Sequence, residues 1–205
     1  NIRFYFIKSF NYYVHMFFIK KKYYFIIKSI RDINLKNIKN INKYCIIYRN
    51  NNIESLDKIR KFRNICKNKR IQFFIANNIK LMSTLKADGL YISAYNKKLN
   101  TAYLNKLNYK IIGAAHNIKE INLKNKQGCS QILFSRLFKT SYKNKKGHLG
   151  ATRFNLLRIS RKENLVPLGG INLSNLNRLG IIKSNAFAVS SLIKEKQVEA
   201  LKRFF

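Results

Sequence analysis

The sequence predicts an α/β fold in one domain, a closed (β/α)8 barrel of the TIM type. Two observations carry this. From Tyr23 onward, short β-branched or aromatic runs alternate with longer amphipathic stretches, and each kind recurs eight times. At 205 residues the chain is shorter than the roughly 250 typical of such barrels, so a compact example is expected. A doubly wound open sheet shares the alternation, but the equal tally favours closure.

The elements follow in order. Tyr23–Ile27 reads as the first strand, and the Asn-rich stretch Ile33–Asn42 as the least regular helix. Tyr44–Tyr48 is the second strand. Its helix, Glu54–Lys67, follows the turn-like Asn50-Asn51-Asn52, with Ser55 at the cap and Leu56, Ile59 and Phe62 at helical spacing. Strands Ile71–Ile75, Gly89–Ile92 and Lys110–Ala115 alternate with helices Ile79–Lys86, Lys97–Asn108 and Ile118–Gln127. Ser130–Ser135 leads through a long basic loop to the helix Ala151–Arg161. Val166–Gly170 precedes Leu173–Lys183, with Asn172 at the cap and Ser174 in the first turn. Ala186–Ser190 and Leu192–Phe204 close the chain. No internal repeat beyond this alternation is evident.

Composition narrows the class. Apolar residues make up 46% and aromatics 13%, enough for a core, while one Pro and eight Gly exclude collagen-like and mucin-like chains. Three isolated cysteines, Cys45, Cys66 and Cys129, with no CxxC pair, argue against a disulfide framework or a structural zinc site, and a cytoplasmic location is the default. Lys and Arg number 42 against 8 Asp and Glu, a formal charge of +34. Such an excess attracts polyanions, so nucleic acid is a candidate partner. The charge is spread evenly, however, and accompanies abundant Asn, Ile, Tyr and Phe, so compositional drift accounts for much of it.

Residues 1–20 form a basic, aromatic extension before the barrel of residues 21–205. The longest apolar run there, Tyr12–Ile19 apart from His15, falls well short of the roughly 20 residues a spanning helix requires. No small-residue cleavage site follows it. Asn1 stands where a start would have Met, so an upstream piece is expected.

In a closed barrel, chemistry gathers in the loops after the strands. Pro167-Leu168-Gly169-Gly170-Ile171-Asn172 is a strand running into paired glycines and a helix start, which suits close approach of backbone N–H groups to an anion. Ser190-Ser191 sets hydroxyls at the next helix start. Read conservatively, these are a glycine turn and an ordinary Ser cap. The loop Arg136–Gly150 carries lysines and hydroxyls that could close over an anionic substrate, or could simply be solvated. His15 and His148 attract no role. The cysteines read as small buried hydrophobes.

These segments resemble thiamine-phosphate synthase and its thiazole-tautomerase relatives, and the chain is similar to a divergent member over residues 22–204. Ala87-Asp88-Gly89-Leu90-Tyr91-Ile92 resembles the family's Ala-Asp-Gly-Val-His-Leu strand. Ile111–Asn117 resembles its Ile-Gly-x-Ser-x-His-Thr/Ser segment, and Thr140-Ser141-Tyr142-Lys143 sits where it has Thr-x-Thr-Lys. Leu168-Gly169-Gly170-Ile171-Asn172 matches Gly-Gly-Ile, and Ala188–Ile193 resembles Ala-Val-Val-Ser-Ala-Ile.

The resemblance implies a transferase of thiamine biosynthesis. It would join hydroxymethylpyrimidine diphosphate to thiazole phosphate with release of diphosphate, normally with Mg²⁺. It implies that Thr140, Gly169, Gly170, Ser190 and Ser191 hold the substrate phosphate. Arg49 would face the departing diphosphate, Lys143 would reach the reaction from the loop over the substrate, and His116 would be a further catalytic group. Several positions depart from the pattern: Ile47 and Asn51 replace the Gln and Lys of Gln-Leu-Arg-Glu-Lys, Ala114 replaces a Ser and Tyr142 a Thr. The two metal-binding Asp positions fall on Asn77 and Asn96. Neutral amides are poor Mg²⁺ ligands. The metal half of the site therefore reads as degenerate, with Lys97, Lys98 or Lys143 as substitutes for the ion. The alternatives are a catalytically altered relative that binds a phosphorylated small molecule, with His116 as acid or base, and a polyanion-binding basic protein.

Overall fold

The structure is a computed structural model that describes residues 22–35, 41–50, 54–140 and 147–190. Eight parallel strands close in sequence order into a barrel. They are β1 (Lys22–Ile27), β2 (Tyr44–Tyr48), β3 (Gln72–Ala76), β4 (Gly89–Ile92), β5 (Lys110–Ala115), β6 (Gln131–Ser135), β7 (Leu165–Leu168) and β8 (Ala186–Val189). Closure is direct: Tyr23 pairs with Phe187 on one side and with Tyr44 on the other.

The period-two alternation of each strand divides the core. Tyr24, Ile26, Cys45, Ile47, Phe74 and Tyr91 are among the side chains that fill the barrel interior. Their neighbours in sequence, such as Phe25, Ile46, Phe73 and Leu90, pack outward in a second cluster with the surrounding helices. At the floor of the interior the polar groups pair with one another, Lys22 with Gln72 and Tyr24 with Gln131.

The α-helices are α1 (Leu56–Asn68), α2 (Ile79–Thr84), α3 (Ile118–Lys126) and α4 (Gly150–Ile159). Ser55 occupies the cap of α1 without a side-chain cap bond. Two expected helices are shorter and tighter. The stretch predicted at 97–108 is a 3-10 helix over Ala102–Leu107, and that at 173–183 is one over Leu173–Ile181. In the latter Asn172 caps as expected, accepting from the Ser174 amide, and Asn175 completes a capping box. The helix predicted at 33–42 does not form over the described residues. Short 3-10 turns occupy Ile30–Asp32 and Ile41–Lys43, and the former is fixed by a Ser29–Asp32 capping box. The predicted strand 166–170 stops at Leu168, where the glycines turn away with φ of +93° and +71°. The predicted helix 192–204 and the extension 1–20 lie outside the described residues.

Four helix-to-strand joints share one construction. Ahead of β3, β4, β5 and β6, the residues Arg70, Lys86, Asn108 and Gly128 take a left-handed conformation. The amide of the next residue then bonds back five positions: Ile71 to Cys66, Ala87 to Met82, Tyr109 to Leu104 and Cys129 to Lys124. This is the Schellman closure that satisfies the last carbonyls of a helix.

Candidate functional site at the barrel mouth

The inward-facing rows, continued one step past the strand ends, bring Arg49, Ser93, His116, Ser135, Gly170 and Ser190 around the carboxyl-end mouth. Tyr91, the fully enclosed residue beneath them, has its phenol pushed up to about 12 by burial, with the Arg49 charge pulling the other way. Arg49 itself is exposed at the end of β2, where its amide bonds the Ile27 carbonyl.

The ends of β7 and β8 lie side by side. Leu168 pairs with Ala188, so Gly169-Gly170 and Ser190 follow from adjacent strand ends. The glycine pair is also sewn to the loop after β6: the Leu137 amide donates to Leu168 O and the Phe138 amide to Gly169 O. A Cβ on Gly170 would lie 2.3 Å from the Phe138 carbonyl oxygen, so only glycine allows this approach. The Gly170 carbonyl accepts from Asn175 Nδ2 at 2.7 Å. Next along the loop, Thr140 carries a buried hydroxyl with no hydrogen-bond partner among the described residues. A buried hydroxyl without a partner is costly. Lys143 and Ser191 lie outside the described residues.

The ends of β3 and β4 form a closed amide cluster. Asn77, at φ +55°, donates through Nδ2 to Ser93 Oγ at 2.8 Å and to Tyr95 OH at 3.0 Å. Its Oδ1 accepts from the Ser93 amide at 2.9 Å and from Asn96 Nδ2 at 3.1 Å. Asn96 Oδ1 accepts from the Lys98 amide. Every donor and both lone pairs of the Asn77 amide are thus engaged. No group of three or more His, Cys, Asp or Glu that could hold a metal ion occurs among the described residues. A hard divalent ion requires oxygens with charge or free lone pairs, and Asn77 and Asn96 do not fit one.

His116 is half exposed, and its Nδ1 lies 3.0 Å from Glu120 Oε2. The same oxygen accepts the His116 backbone amide at 2.7 Å, while Oε1 accepts from Asn117 Nδ2. An ionised Glu120 requires a proton on Nδ1, which leaves Nε2 as the basic nitrogen. Sequence reasoning missed Glu120, although its spacing of four from His116 at a helix start was the available signal. It also missed Lys124 and Gln127, both fully buried on the helix face turned to the strands.

The family model for thiamine monophosphate synthase matches residues 24–193. A thiamine-phosphate synthase of Pelagibacter ubique is 30% identical over 160 residues, 74% of this chain and 76% of that protein. One from Prochlorococcus marinus is 26% identical over 141 residues, 68% of this chain, but the chain spans only 41% of that relative's length. Among solved structures, thiamine phosphate pyrophosphorylase from Pyrococcus furiosus superposes with a TM-score of 0.71 at 18% identity. That match covers 90% of this chain and 93% of the other, a likeness of fold.

Proposed function

Because the chain belongs to the thiamine monophosphate synthase family, we propose that it works in thiamine biosynthesis, coupling hydroxymethylpyrimidine diphosphate with thiazole phosphate. The C–O bond between the pyrimidine methylene and the diphosphate breaks, and its electron pair leaves with the diphosphate. The thiazole nitrogen lone pair then forms the new C–N bond, giving thiamine phosphate and diphosphate.

The residues of this chain divide the work. Gly169, Gly170, Thr140, Ser190 and Ser191 hold the thiazole phosphate, fixing the nucleophile on the β7–β8 side of the mouth. Arg49, with Lys143, offsets the charge that develops on the departing diphosphate. Tyr91 and the apolar interior beneath keep water from the pyrimidine cation. No step passes through a metal ion, since the Asn77 and Asn96 amides already satisfy each other. His116, ordered by Glu120, is available to hold or move a proton at Nε2. A cytoplasmic location accompanies this reading.

The observation that carries the proposal is the seam between Gly170 and the Phe138–Lys139 backbone, with the Thr140 hydroxyl next along the loop buried and without a hydrogen-bond partner among the described residues. The test is direct. Purified protein given both substrates should release thiamine phosphate and diphosphate in equal amounts, with turnover surviving EDTA. Absence of product with and without Mg²⁺ would overturn it. The closed amide cluster favours a second reading, a relative that binds thiazole phosphate without coupling. That reading predicts saturable thiazole phosphate binding and no product.

A further inference from the structure

Lys124 lies on α3, outside the barrel, and is fully buried. Its stem crosses β5 at Gly113, where an added Cβ would lie 2.9 Å from the Lys124 Cγ and Cδ and 2.8 Å from Cys129 Sγ. The ammonium emerges beneath the loop that follows β4. There it donates to Ser93 O, Asn96 O and Gln127 Oε1, each at 2.9 Å. Gln127 reinforces the same loop, donating through Nε2 to Asn96 O at 3.0 Å and to Lys98 O at 2.6 Å. It is held in turn by its own carbonyl, which accepts from Thr101 Oγ1.

A buried cation whose donors all go to neutral oxygens is expensive, and an apolar side chain of similar length would fill the same space. Burial accordingly lowers the pKa of the ammonium. What the pair secures is specific: the Lys124 ammonium holds Ser93 O and Asn96 O, and Gln127 Nε2 adds Lys98 O, so three carbonyls of one six-residue segment, 93–98, turn inward on two side chains. That segment presents Tyr95 and Asn96 to the mouth and, through Ser93 and Asn96, locks Asn77 on the neighbouring strand end.

We propose that Lys124, passing over Gly113 and braced by Gln127, is a positioning residue that fixes the β3–β4 side of the mouth from behind. This rests on the coupling reaction as read above: with the thiazole phosphate held on the β7–β8 side, the β3–β4 side, across the closed barrel from it, is left to receive the pyrimidine diphosphate.

The experiment pairs hydrogen exchange with steady-state kinetics on the full chain, using Lys124→Met and, as an independent variant, Gly113→Ala, which crowds the lysine stem. Loss of charge-assisted bonds to the loop carbonyls should raise amide exchange in 93–98 about tenfold or more, leaving peptides from β7 and β8 unchanged. KM for hydroxymethylpyrimidine diphosphate should rise about tenfold while KM for thiazole phosphate holds. Unchanged exchange in 93–98 would overturn the strut whatever the reaction. Faster exchange with both KM values unaltered, or raised equally, would overturn its role in positioning substrate. If wild type yields no product, the coupling reading fails; the exchange data then still decide the strut, and equal binding of the pyrimidine diphosphate by wild type and Lys124→Met would overturn the positioning role.

Discussion

Asn96 Nδ2 donates to Asn77 Oδ1 across 3.1 Å, tying the end of β4 to the end of β3 by an amide–amide bond at the barrel mouth. The double variant Asn77→Asp with Asn96→Asp replaces that bond with two facing carboxylates and removes the Asn77 donation to Ser93 and Tyr95. Without metal it should lose about 1–3 kcal/mol of stability. Millimolar Mg²⁺ should restore much of this and should leave wild type unmoved. Thermal melts with and without Mg²⁺ check it, and an equal response in both proteins counts against the account of the cluster.

Gly170 cannot accept a side chain. Its φ is +71°, and an added Cβ would meet Phe138 O at 2.3 Å and Lys139 O at 2.7 Å. Gly170→Ala should cost about 2 kcal/mol or more. Gly169→Ala should cost less, because its nearest contact is the flexible Arg136 Cγ at 3.2 Å. Urea unfolding of the pair would show the order. A benign Gly170→Ala would mean that the seam is looser than described.

Thr140 separates stability from binding. Its hydroxyl is buried without a partner among the described residues, so Thr140→Val removes an unsatisfied group and should leave the free protein unchanged or slightly more stable. The same change should weaken thiazole phosphate binding about tenfold through the lost hydrogen bond. Calorimetric titration reads the second effect and a thermal melt the first. Unaltered affinity would remove Thr140 from the phosphate site.

The thiols set an alkaline limit. Burial raises Cys45 to about 11 and Cys66 and Cys129 to about 12, from an ordinary value of 9.0. Above pH 9 the unfolded chain releases thiol protons that the folded one keeps, so stability present below pH 9 is lost as pH rises through the folded values. Each thiol contributes about 1.4 kcal/mol per pH unit within that window. Lys124, with its lowered value, works in the opposite direction, but it is one group against the three thiols and the buried phenols of Tyr23, Tyr24, Tyr44, Tyr48 and Tyr91. Burial also raises those phenols from 10.0, and they add to the decline at the upper end of the range. Urea unfolding under reducing conditions between pH 8 and 11 should show the decline, and Cys129→Ala should make it shallower. A flat profile would contradict the burial of these groups.

The strands were readable because each buries both faces. A run such as Tyr44–Tyr48 has few alternatives, and it forms with those bounds. Gly169-Gly170 was readable because two successive left-handed residues exclude most side chains. The stretch 97–108 misled because Lys98, Gln127 and Thr101 interact through tertiary hydrogen bonds that local periodicity does not encode. Lys124 was hidden for a similar reason. A lysine on a basic helix reads as solvated, and only the gap above Gly113, three-dimensional and invisible along the chain, lets it turn inward. Asn77 and Asn96 stood out by comparison with a motif, but their bond to each other depends on strand register.

The Schellman joints beneath the barrel have a practical outcome. Of the four, only Gly128 uses the residue best suited to the left-handed turn, whereas Arg70, Lys86 and Asn108 bear its strain. Arg70→Gly and Lys86→Gly should each add up to about 1 kcal/mol, the relief of a left-handed side chain less the backbone freedom glycine gives up. Both lie on the floor, a barrel's height from Gly170 and Ser190. An engineer could therefore toughen this scaffold against heat at one end while leaving turnover at the other alone.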